Sequence, residues 1–271
     1  MDRPAVIRKT EQDLRVAPHL ADYEGIRRGY SWAGARQALA GLPGGALNIA
    51  YEAVDRHAQG PLRERIALRF VASEAPAIEI SFAELARLTS RFANVLRQLG
   101  VQKGERLFVL AGRMPELYVA VLGSLKCGVV VTPLFSAFGP EPIATRVNLG
   151  EGKVLVTTDT LYRRKVKAWR ERMPSLRHVL LISDDGTPTQ EPDTEDLAGL
   201  MANASDDFAA TPTSPDDVSL LHFTSGTTGT PKGAIHVHGA VVTHHATGRF
   251  ALDLHDGDIY WCTADPGWVT G

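Results

Sequence analysis

Cysteine is nearly absent: Cys127 and Cys262 are the only two among 271 residues, far apart and outside any CxxC pattern. That excludes a disulfide framework and a thiolate zinc site, and it fits a reducing cytoplasm. An excess of positive charge is also missing. With 29 basic and 31 acidic residues the formal net charge is −2, so neither nucleic acid nor an anionic membrane is expected as a main partner. Long apolar runs are lacking too. The stretch at 129–132 is far too short to cross a bilayer, and the opening MDRPAVIRKTEQDLR interleaves charges without the apolar centre of a secretory signal. Neither a membrane span nor export is expected.

What is present is an ordinary globular composition, 44% hydrophobic and 22% charged, in a chain long enough for one large domain or two modest ones. Residues 1–60 read as an opening segment with an irregular glycine-rich passage, GLPGGALN, at 41–48. From 60 to 183 the pattern is periodic. SFAE at 81–84 forms a capping box; Leu85, Leu88, Phe92, Val95, Leu96 and Leu99 recur at helical spacing, and Gly100 supplies the left-handed stop. RLFVLA (106–111) reads as a strand, 115–127 as a helix with Pro115 in its first turn, and VVVTP (129–133) as a strand. A helix near 140–149, a strand KVLVTT (153–158), a basic helix near 160–172 and a strand RHVLLIS (177–183) complete the alternation. Short connections between alternating strands and helices predict a Rossmann-like α/β layer, a parallel sheet covered on both faces. The arginines and lysines of the basic helix read as a solvated face. The stretch 184–217, acidic and proline-bearing with no basic residue, reads as a linker, and 218–271 as the start of a second α/β subdomain.

That last segment contains HFTSGTTGTPKGAIHVH (222–238). Gly226, Gly229 and Gly233 permit backbone conformations in which successive amides turn inward as a nest for phosphate oxygens. Thr224, Ser225, Thr227 and Thr228 add hydroxyl donors, and Lys232 adds a full positive charge. Polyphosphate is the natural ligand, set against a plain surface turn rich in small residues. The loop is not a Walker A motif: Pro231 precedes the lysine, Gly233 follows it, and the alternating AIHVH that comes next reads as a strand. A nucleophile elbow at Ser225 fails because Phe223 stands where glycine is needed.

TSGTTGTPKG (224–233) resembles the phosphate-binding signature of the adenylate-forming superfamily. LNIAYEAVDRHA (47–58), SRFANVLRQLGVQKGERL (90–107) and YWCTADPGWVTG (260–271) are similar to the AMP-forming acetyl-CoA synthetases. The resemblance implies an acid–thiol ligase that joins acetate to ATP as an acyl adenylate with release of pyrophosphate, then transfers the acyl group to coenzyme A, with magnesium accompanying ATP. It places Thr224, Ser225, Gly226, Thr227, Thr228, Gly229 and Lys232 on the ATP phosphates, with Lys232 and Thr227 in catalytic roles. Trp268, Val269 and Thr270 would line the acyl pocket, and Arg146 would stand near the coenzyme A entrance. Taken alone, Trp268 reads equally as a core residue and Arg146 as a surface helix residue. The resemblance further implies an incomplete large N-terminal domain, a fragment with little or no turnover by itself. Its partners would be small molecules, and no protein-metal ligand is expected.

Other readings remain. Propionyl or medium-chain acyl-CoA synthetases are the close alternative. His236 and His238, two residues apart on a strand with His244, His245, His255, Asp253 or Asp265 nearby, suit a metal-dependent hydrolase. A non-catalytic binding fragment is the third.

Overall fold

The computed structural model describes residues 10, 14–72, 75–224 and 230–268. The chain divides into two units, one made of residues 1–39 and 242–260, the other of residues 40–241 and 261–271. In the first, helices α1 (Tyr23–Gly29) and α2 (Trp32–Gln37) each begin at a side-chain cap. The Asp22 carboxylate accepts the Gly25 amide at 2.9 Å and the Ser31 hydroxyl accepts that of Gly34 at 3.1 Å, satisfying donors the helix cannot.

The second unit has a 3₁₀ turn (Pro43–Gly45) and then a π turn (Tyr51–Asp55) running into α3 (Arg56–Ala58). The strands β1 (Ile66–Phe70) and β2 (Ile78–Ser81) then form an antiparallel pair. Helix α4 (Phe82–Gln98) starts where the sequence predicts, with the Ser81 hydroxyl accepting the Glu84 amide at 3.2 Å. Only half of the capping box forms, because the Glu84 carboxylate turns outward to the Arg87 guanidinium at 2.6 Å. A forked cation on the same helix face competes successfully with the backbone amide. Gly100, at φ 74°, ends the helix region in the left-handed conformation that a Cβ disfavours.

The main sheet follows: β3 (Arg106–Leu110), α5 (Pro115–Lys126), β4 (Val130–Pro133), α6 (Pro140–Leu149), β5 (Val154–Thr158), α7 (Asp159–Leu161) and β6 (His178–Ile182). Beyond these come β7 (Glu195–Asp196), α8 (Leu197–Asn203), β8 (Val218–Thr224) and β9 (Lys232–Val237). Seven strands lie in the order β7-β6-β5-β3-β4-β8-β9, and every neighbouring pair is parallel except β8 and β9. Alternate residues of each inner strand face opposite sides. Leu107, Val109, Val154 and Val156 pack under Phe92 and Leu96 of α4 and Ala120 and Leu125 of α5. Phe108, Leu110, Leu155, Val179 and Leu181 pack with Ile143 and Val147 of α6 on the other side. Strands buried on both faces read as continuous apolar runs, and these do.

Four expectations change. The basic stretch is no uniform helix: α7 passes into a π turn (Tyr162–Val166) and then a 3₁₀ segment (Lys167–Arg172). The acidic stretch at 184–217 is more than a linker, since it contributes β7 and α8, and Leu197 is buried in the core. Residue 218 marks no break in the sheet, because Val131 of β4 pairs with Leu220 of β8 and the chain leaves this unit only after Val241. The glycine-rich passage is anchored: Leu47 and Asn48 are buried, and the Asn48 side-chain amide donates to the carbonyls of Leu125, Lys126 and Thr211. Lys126, at the last turn of α5, is only 1% exposed and pairs with Asp55 at 2.7 Å. After β9, helix α9 (Ala240–Phe250) carries the chain into the other unit. No helix among the described residues is long and apolar enough to cross a membrane.

Candidate functional site

The strand order reverses at β3. The chain leaves β3 toward β4 on one side and returns past it to β5 on the other, so the connections after β3 and β5 depart to opposite faces of the sheet. A reversal of this kind opens a crevice at the carboxyl ends of the strands, where α/β sheets bind ligands. Because β8 runs parallel to β4, the turn joining β8 to β9 emerges at that same edge. Local chemistry dictates the hairpin: β8 brings VSLLHFT to its end, and the glycine-rich run that follows has little apolar bulk with which to extend a core.

Thr224 and Lys232 face each other as the last pair of the β8–β9 ladder, and the Thr224 hydroxyl donates to the Lys232 carbonyl at 3.4 Å. The Lys232 side chain is exposed, and among the described residues no carboxylate pairs with it. An unneutralised ammonium at the mouth of a hydroxyl-bearing turn suits an anionic ligand. Ser225, Gly226, Thr227, Thr228 and Gly229, which complete the expected phosphate cradle, lie outside the described residues, as do Val269 and Thr270.

Trp268 reaches the same edge from far along the chain. Its ring meets Phe135, just beyond the end of β4, edge to face with centroids 5.5 Å apart. It is 49% exposed, so it is no core tryptophan but a half-open aromatic wall. Several contacts hold it there. The Asp265 carboxylate accepts the Ser136 hydroxyl at 2.5 Å and the Gly267 amide at 2.8 Å, and the Asp265 carbonyl accepts the Trp268 amide at 2.8 Å. Arg113, following β3, donates to the carbonyls of Thr263 and Ala264. A Cβ on Gly267 would stand 2.2 Å from the Leu134 backbone, so the approach of this segment to the end of β4 requires glycine.

Behind β5, Lys165 donates to the Ser136 carbonyl at 2.5 Å, and burial, helped by the nearby Arg164, draws its pKa below the usual lysine value. Lys165 therefore braces the crevice, a role the solvated-face reading of the basic stretch misses. Arg163 and Lys167 do lie on the surface, paired with Glu191 at 3.4 and 2.7 Å.

Arg146 is not the surface residue its helix suggests. Its guanidinium lies over the Phe138 ring at 4.1 Å and donates to the Pro142 carbonyl at 3.0 Å, while burial lowers its pKa. Phe135, Ser136 and Phe138 are missed by sequence reasoning, and Asp265, weighed there as a metal ligand, instead accepts the Ser136 hydroxyl. The signal for the first three is positional: LFSAFG directly follows a strand that the alternation places in the sheet.

The histidine pair does not form a metal centre. His236 is exposed on β9, whereas His238, beyond the strand's end, is fully buried and its Nδ1 accepts the Ile49 amide at 3.2 Å. The two rings lie in different environments because the ladder ends at Val237 and the chain turns, with the His238 amide donating to the Asp217 carbonyl. Among the described residues, neither His236 nor His238 belongs to a group spaced to hold a metal ion. Cys127 is half-buried, and burial of its thiol pushes the pKa up to about 12, away from the range of an activated thiolate. An open groove of about 320 Å³ lies elsewhere, lined by residues such as Tyr30, Ala35, His245 and Phe250 of the first unit.

Comparison with known proteins adds to this geometry. The acetyl-coenzyme A synthetase of Bacillus subtilis is 39% identical over 93% of this chain and 43% of its own length. That of Escherichia coli is 34% identical over 84% of this chain and 37% of its own. A solved acyl-CoA synthetase from Brucella canis superposes with a TM-score of 0.81 at 30% identity, covering 91% of this chain and 43% of that one. This chain thus spans under half the length of the relatives it matches. The family described as AMP-binding enzyme matches residues 54–271, four-fifths of the chain and all of the main sheet, and the chain belongs to that family.

Proposed function

We propose that this chain supplies the phosphate-gripping and acyl-facing walls of an AMP-forming acetate–CoA ligase. The whole enzyme joins a carboxylate oxygen of acetate to the α-phosphorus of ATP, breaks the bond to the β-phosphate and releases pyrophosphate. The thiol of coenzyme A then attacks the acyl carbonyl and AMP leaves. The observation that carries the reading is the β8–β9 pair, which ends at the carboxyl edge of a parallel sheet with an exposed Lys232 that no carboxylate among the described residues neutralises. Charge grows on the pyrophosphate as the bond to it breaks, and an ammonium with hydroxyl and amide donors for neighbours in sequence would stabilise that charge where it develops. Thr224, Ser225, Gly226, Thr227, Thr228 and Gly229 complete the grip, with Thr227 beside Lys232 in the catalytic step. Magnesium enters with ATP.

Trp268 forms the acyl wall. Its indole stands half-open at the end of β4, braced by Phe135, and offers a flat apolar surface to an acyl chain. Arg146, though buried, lies at the carboxyl end of the sheet through its contact with Phe138, and we place it beside the coenzyme A path. The reaction belongs in the cytoplasm, where its soluble substrates are.

Lys232→Ala in the full-length enzyme tests the assignment. Loss of one preorganised charged donor is expected to cost roughly 2 to 4 kcal/mol in acetate-dependent ATP–pyrophosphate exchange. An unchanged exchange rate removes the lysine from the chemistry. Trp268→Gly is expected to raise butyrate activation relative to acetate, and an unaltered preference takes the indole out of the pocket.

A further inference from the structure

In the unit formed by residues 1–39 and 242–260, three potential ligand groups converge. His19, Asp253 and His255 place one donor atom each within 4.8 Å of one another. Asp253 Oδ1 lies 3.0 Å from His19 Nδ1 and 3.3 Å from His255 Nε2. The His19 amide donates to the same oxygen at 2.8 Å, and the two rings stack with centroids 4.0 Å apart and planes inclined by 20°.

From this geometry we propose that His19, Asp253 and His255 form a binding site for a borderline divalent cation of the zinc class. Bonds of about 2.0 to 2.1 Å in a tetrahedral centre put neighbouring donor atoms roughly 3.3 Å apart, close to the two separations from Asp253. Two imidazole nitrogens and one carboxylate oxygen select Zn²⁺, Co²⁺, Ni²⁺ or Cu²⁺ over the hard cations, which favour all-oxygen shells. Water completes the coordination.

The surroundings hold the carboxylate and the second ring in place. Asp253 sits at φ 53°, a left-handed position uncommon for a residue with a Cβ, which aims its carboxylate back at residue 19. The His255 amide donates to the Asp258 carboxylate at 2.8 Å, closing a turn that fixes the third ligand. Residues 234 positions apart in the chain are thereby joined. A bound ion would act as a staple between the N-terminal segment and the passage after α9, stabilising the folded unit by mass action rather than taking part in ligation chemistry.

The test uses the untagged chain, stripped with chelator and titrated with Co²⁺ alone and with Zn²⁺ alone. One ion per chain is expected, with visible d–d absorption for Co²⁺ and a rise in the thermal midpoint on adding Zn²⁺. His19→Ala and His255→Ala should each weaken Zn²⁺ binding at least tenfold in equilibrium dialysis, while His236→Ala leaves it unchanged. Far-ultraviolet circular dichroism checks that each variant is folded. Because Asp253 also accepts the His19 amide, Asp253→Asn serves as the milder replacement, keeping an acceptor while removing the charge, and should weaken binding too. No stoichiometric ion on the wild-type chain, or affinity within twofold of wild type in folded His19→Ala and His255→Ala variants, overturns the site. These readouts involve no acyl activation, so the outcome is independent of the ligase assignment.

Discussion

The middle of the main sheet and its β8–β9 edge are made of the same kind of backbone but set in opposite environments. All five residues of β5 are buried, and Phe108 in neighbouring β3 is entirely enclosed. In β9, five of the six residues are exposed, and Ile235 is 63% accessible. The inner strands gain their stability from apolar area removed from water on both faces. The edge strand β9 gains little from burial and leaves Lys232 exposed to solvent. Core packing makes the first region intolerant of change in volume. The second is held mainly by its backbone ladder, which leaves its side chains available for a ligand.

Substitutions can break or sharpen that contrast. Phe108→Ala should have the largest effect, about 3 to 5 kcal/mol of unfolding free energy, because the ring is lost from a site packed on all sides; urea unfolding of the chain measures it. His238 comes next, through pH. Burial pushes its pKa down to about 4, with Asp217 and Lys103 acting in opposite senses. The folded ring is therefore neutral while the unfolded ring takes up a proton below about pH 6.5. The stability of the neutral fold is complete above that value and is lost as pH falls toward 4, by an amount on the order of 2 kcal/mol. A flatter dependence of the urea midpoint on pH in His238→Gln is the expected result. Ile235→Ala should change stability by no more than about 0.5 kcal/mol. A loss of 2 kcal/mol or more there would mean that the hairpin edge is covered in the working protein.

The inner layer was legible because periodicity is local. Runs such as RLFVLA and KVLVTT match buried parallel strands, and SFAE announces the start of α4, although Arg87 takes the glutamate that the capping box would have used. The phosphate-loop candidate was legible as well, since its glycine spacing and lysine lie in one short segment. Lys126 was not: at the end of α5 it reads as a surface charge, yet it is buried with Asp55, a carboxyl whose pKa burial raises despite the opposing ammonium. Nor was the bracing of Trp268, because Ser136 and Phe135 stand more than a hundred positions from Asp265 and Trp268.

Sequence by itself determined the class of fold, the covered parallel sheet and a turn chemically suited to polyphosphate, because hydrophobic period, capping residues and glycine placement act over a few neighbours. Tertiary structure alone decided that β8 joins β4, that the end of β8 and the tryptophan segment arrive at one edge of the sheet, and that His19 meets Asp253 and His255. Those outcomes depend on which distant surfaces exclude water together, and that quantity exists only once the chain has closed on itself.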